Sequence, residues 1–157
     1  MARLIRLFAA LWLLGVAQAA LAAGSHMAIS SKVGNFDDIK DNLGAAIAGH
    51  GLVINNVSHV GEMLERTGKD IGATKQIFIH GDILEFCSAS ISRQTMEADP
   101  HNIVFCPYAI SVYVLPGEPK RVYVSYRKPL YLNSSGKMEV LQPVDKLLSE
   151  IVREAMQ

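Results

Sequence analysis

Several kinds of chemistry are missing from this 157-residue chain before any residue is interpreted. It has two cysteines and no Cys-x-x-Cys, no Cys-x-x-Cys-His for covalent haem, and no His-Glu-x-x-His for a catalytic zinc. No Gly-x-Ser-x-Gly elbow surrounds a serine, so the usual strand-turn-helix presentation of a nucleophile is absent. Fifteen basic residues balance fifteen acidic ones, which leaves no electrostatic footprint for nucleic acid or for an anionic membrane surface. No internal repeat or low-complexity tract interrupts the chain, and no apolar run reaches the roughly 20 residues that span a bilayer.

What is present begins with an export signal. Arg3 and Arg6 form a positive head, Leu7 to Val16 is almost wholly apolar, and Ala17-Gln18-Ala19 and Ala20-Leu21-Ala22 offer small-x-small cleavage sites. Cleavage is expected after Ala19 or Ala22, with a periplasmic product. Removing residues 1–22 leaves 135 residues with 13 basic and 15 acidic side chains, a length suited to one domain. Residues 23–34 then form an N-terminal segment, in which Gly24-Ser25-His26-Met27 has the look of a cloning scar and Met27 to Val33 alternates like a first strand. The domain proper is expected over 35–157.

Asn35 reads as the N-cap of a helix carrying Phe36, Ile39, Leu43, Ala46 and Ile47 at helical spacing, with Asp37 and Asp38 in its first turn. Leu52 to Val60 reads as a strand, and Gly61 to Gly72 as a short amphipathic helix interrupted by Gly68. Gln76 to Phe86 is the strongest strand candidate, with Gly81-Asp82 marking a bulge or tight turn within it. A helix from Ser88 ends before Asp99-Pro100. Ile103 to Phe105, Ala109 to Leu115 and Arg121 to Tyr126 read as strands, the last two forming a hairpin through Pro116-Gly117-Glu118-Pro119. From Pro143, the stripe Val144, Leu147, Leu148, Ile151, Val152 and Ala155 marks an amphipathic C-terminal helix that must pack on a sheet. The expected fold is therefore a single small α+β domain: a mixed sheet of about four to five strands with helices on one face. Lys120, Arg121, Arg127 and Lys128 cluster near the hairpin and read as a solvated face.

Glu85-Phe86-Cys87, Met96-Glu97-Ala98-Asp99-Pro100 and Cys106-Pro107-Tyr108 carry a family likeness. On these motifs the stretch from Phe36 to Pro129 resembles the domain-of-unknown-function 302 family. The resemblance implies a small α+β domain that tends to pair into dimers, and it implies no established activity.

After export, Cys87 and Cys106 have three readings. A disulfide closing a loop of about 20 residues would stabilise the domain by about 3 kcal/mol. Two buried thiols are the second, and a functional thiol or metal site the third. For the last, His80, Met96 and His101 are the available soft or borderline ligands, and thiolate with imidazole or thioether suits copper, zinc or a non-covalent haem. Glu85 joins the candidates if its side chain points inward. No catalytic residue, metal or cofactor is assigned.

The preferred function is thus a non-enzymatic exported accessory domain that binds a small molecule or a protein partner, as a homodimer. Neither a nucleic acid nor a membrane span after signal cleavage is expected. The alternative is a periplasmic thiol-redox, metal- or haem-handling protein that uses Cys87 and Cys106.

Overall fold

The computed structural model describes residues 26–132 and 138–157. The expected signal peptide, its cleavage site and the first half of the suspected scar lie outside the described residues. Strands β1 (Met27–Val33), β2 (Ile54–Ser58), β3 (His80–Phe86), β4 (Tyr108–Val114) and β5 (Arg121–Arg127) form one sheet in the order β1-β5-β4-β3-β2. A separate small hairpin pairs β6 (Leu130–Leu132) with β7 (Met138–Val140). The helices are α1 (Phe36–Gly49), α2 (Val60–Asp70), α3 (Ala89–Ala98) and α4 (Gln142–Ala155), with a 3-10 helix over Pro100–Phe105.

Alternation along the strands decides which face is core. Leu84 and Phe86 of β3, Ile110, Val112 and Val114 of β4, and Val122 and Val124 of β5 are all buried on one face. Against them lie Ile39, Leu43 and Ile47 of α1 and the whole stripe of α4, from Val144 to Ala155. Each fully buried aliphatic side chain contributes about 1.5–3 kcal/mol. At the start of α1, Asn35 Oδ1 accepts from the backbone N–H of Asp37 at 2.8 Å and of Asp38 at 3.2 Å, as its cap position requires. His50 Nε2 meets Glu154 Oε2 at 3.3 Å, joining the C-terminal ends of α1 and α4.

Three features differ from the sequence expectation. The sheet is antiparallel at every pairing rather than mixed, because α3 and the 3-10 helix return the chain to the end of β3 instead of carrying it across the sheet. Ile103 to Phe105 is helical, not a strand: Pro100 takes a first position, Asp99 Oδ1 accepts from His101 N, and Asn102 Nδ2 donates to Thr95 O at 2.8 Å. Gly81 and Asp82 sit in regular ladder register without bulge or turn, the irregularity falling instead between Ile54 and Asn56 of β2. Met27–Val33, expected as a first strand, pairs along its whole length with β5.

One close approach positions α2. A Cβ on Gly61 would lie 2.8 Å from the backbone nitrogen of Gly81, so only glycine lets the first turn of α2 rest on β3.

Candidate functional site

The cysteines bracket the α3 excursion. Cys87 follows β3 and Cys106 precedes β4, and because those strands are antiparallel both stand at the same end of the sheet, at disulfide distance with Cα atoms 6.1 Å apart. Ser88 caps α3, its Oγ accepting from Ile91 N. Behind the pair, Ser92 Oγ and Tyr108 Oη share a hydrogen bond of 3.1 Å, and Tyr108 meets Phe86 edge-on. The peptide bond between Cys106 and Pro107 is cis.

The other sequence candidates do not gather there. His80 opens β3 at the opposite end from Cys87, roughly 20 Å away along a seven-residue strand. It stacks on Phe36 with ring centroids 4.8 Å apart. Glu85 points to the face away from the core and accepts a hydrogen bond from Asn56 Nδ2 at 3.0 Å. Met96 is half-buried on α3, and His101 is exposed on the 3-10 helix. Among the described residues no three His, Cys, Asp or Glu side chains converge as a metal site would need.

A polar cluster absent from the sequence reading stands at the His80 end. Asp82 shares the core-facing side of β3 with Leu84 and Phe86 and is buried. Its Oδ2 meets Lys40 Nζ at 2.5 Å and its Oδ1 accepts from His59 Nδ1 at 2.9 Å. Burial alone would push the Asp82 carboxyl up, but the hydrogen bonds from Lys40 and His59, with their charges, outweigh it and hold the group below the usual carboxylate range. The sequence signal was available: period-two alternation with Leu84 and Phe86 places Asp82 inward, where a carboxylate needs partners.

Among the described residues no helix crosses the centre of the sheet's second face. Ser111 and Tyr113 of β4 and Tyr123 and Ser125 of β5 occupy the middle; the two tyrosine rings stack at 5.3 Å, and Phe78 meets Tyr113 edge-on. Along the β1 edge, Ile29 and Val33 are 53% and 65% exposed. Of the charges here, Arg121 pairs with Glu118, which also accepts from Tyr123, and Glu85 accepts from the neutral amide of Asn56.

Near the cysteines a cleft of about 440 Å³ opens between Phe105 to Ala109 and Arg127 to Leu130, over Val144 and Leu148 of α4. Arg127 and Lys128, read from sequence as part of a solvated face, stand at this cleft, while Arg121 is at the far end of β5.

Comparison with known proteins agrees on the architecture. The model of DUF302, a domain of unknown function, matches residues 27–156. No curated protein matches the chain. Among solved structures, an uncharacterized conserved DUF302 protein from Bacillus stearothermophilus superposes with a TM-score of 0.66 at 15% identity, covering 83% of this chain and 98% of that one. At that identity the likeness is one of fold.

Proposed function

The chain belongs to the DUF302 family, and from that premise we propose that it is an exported, non-enzymatic binding protein that works as a homodimer through its bare sheet face. The observation that carries this reading is the neutral centre formed by Ser111, Tyr113, Tyr123 and Ser125, flanked by exposed Ile29 and Val33. Four strands of seven residues and one of five, about 4.8 Å apart, present roughly 520 Å² in projection. The accessible area of a pleated face exceeds its projection, but α2 rests on its β3 side, so the free part falls short of the ~800 Å² per partner of a standard interface and suits a smaller one. Arg121 and Glu118 at the margin are paired within the chain, which limits charge repulsion by a second copy there. Tyrosines flanked by small serines suit such a contact, the rings supplying area and the serines close approach.

Sedimentation or light scattering of the mature protein tests the proposal. A mass of two chains is expected for the wild type and of one chain for Ser125→Arg, whose new side chain stands at the centre of the face without touching the core. A monomeric wild type, or a dimer that tolerates Ser125→Arg, refutes it. The thiol-redox alternative rests on the half-buried position of Cys87 and Cys106 at the rim of the molecule. Free-thiol titration of protein taken from the periplasm separates the two, since a pair that stays closed does not turn over.

A further inference from the structure

We propose that the fork between β4 and β5 is a binding site for an amphipathic monoanion, a carboxylate with an apolar body. The fork follows from strand register. Pairing of β4 with β5 runs from Val114↔Val122 to Ile110↔Tyr126 and stops there. Beyond that point Tyr108 stays with Phe86 of β3, while Arg127 stays with Met27 of β1 and Lys128 N donates to His26 O. The two strands part to opposite sides, and the opening is the 440 Å³ cleft, within the roughly 300–1,000 Å³ of small-molecule sites.

Its two ends differ in chemistry. Phe105, Pro107 and Tyr108 form one wall, and Val144 and Leu148 form the floor, all suited to an aliphatic or aromatic body. Across from them, Arg127 and Lys128 stand on the parting arm, with His26 beside them. Among the described residues neither Arg127 nor Lys128 has an acidic partner. The acid at the start of α4, Asp145, accepts from Tyr126 Oη at 3.2 Å. Two cations at the rim of a cleft with apolar walls match a ligand with one anionic head, and a charge-assisted bond from guanidinium to carboxylate is the strong contact of that set. A neutral ligand would leave both charges unused, and a cationic one would be repelled. The site does not depend on the self-association proposed above: a monomeric Ser125→Arg protein keeps it.

Titration calorimetry with laurate, below its micelle concentration, is the test, with dodecanol as the neutral analogue and the Ser125→Arg protein in parallel. One saturable laurate site per chain is expected, with dodecanol at least about tenfold weaker. The Arg127→Gln/Lys128→Gln protein should lose about tenfold in laurate affinity and leave dodecanol unchanged. Val104→Asp, at a cleft position that is 75% exposed and carries no packing, should weaken laurate by a similar factor through repulsion. Absence of saturable binding, equal affinity for laurate and dodecanol, or laurate binding indifferent to both variants overturns the proposal.

Discussion

Replacing Cys87 and Cys106 together by alanine removes one cross-link while leaving the surrounding contacts nearly intact. The two residues are 19 apart in sequence, so the bond closes a loop for which the chain-entropy relation gives about 3 kcal/mol of stabilisation, nearly all of it by restricting the unfolded chain. Both residues are only half-buried, so the packing lost with the sulfurs adds little. A domain of this size is stable by about 5–15 kcal/mol, so the double variant should still fold, with a urea midpoint lower by about 1–2 M at an unchanged slope. Oxidised wild type, wild type under reductant and the double variant should be compared in one urea series. The reduced wild type should fall to the midpoint of the variant, because both lose the same constraint. A variant midpoint within about 0.3 M of the oxidised protein would refute the reasoning, since it would mean that α3 and the Ser92–Tyr108 contact hold this end of the sheet without the cross-link.

Asp82→Asn should cost about 1–3 kcal/mol at neutral pH by leaving Lys40 and His59 without their carboxylate. Because the folded carboxyl titrates below its unfolded value, the wild-type advantage is present above about pH 4 and is lost as pH falls through the lower folded value, so chemical denaturation of the two proteins should converge in acid. Gly61→Ala should destabilise by about 1–3 kcal/mol, because its Cβ meets the Gly81 backbone at 2.8 Å and backbone must move. Gly49→Ala, with nothing within 4 Å of the new Cβ, should instead be neutral or stabilising by up to about 1 kcal/mol in the same thermal melts.

The helices were legible because their signals are local. The Asn35 cap, the Ser88 cap with its stop before Asp99-Pro100, and the Pro143 start each depend on neighbours within one turn, and each recurs in the structure within a residue. The 3-10 helix over Pro100–Phe105 was misread as a strand because three apolar residues in a row carry no period. Two glycines misled as well: Gly68 leaves α2 unbroken, and Gly81 serves an inter-element contact that no local pattern reports.

Site residues fared unevenly for a related reason. Cys87 and Cys106 could be named from composition, but their approach to disulfide distance depends on β3 and β4 running antiparallel, which sequence spacing left open. His80 looked like a neighbour of Cys87 in sequence and lies at the other end of the strand, since an extended chain separates seven residues by roughly 20 Å.

The α+β class, the helix boundaries and the family likeness of the Cys87 to Tyr108 segment were all readable from order and composition alone, because capping, amphipathic period and motif spacing are properties of short stretches. Which strands pair, which face stays bare, how Asp82 meets Lys40 and His59, and where β4 and β5 part are decided only by tertiary structure. Each of those depends on contacts between residues tens of positions apart, whose meeting reflects the packing of α1 and α4 over one common face rather than any local preference.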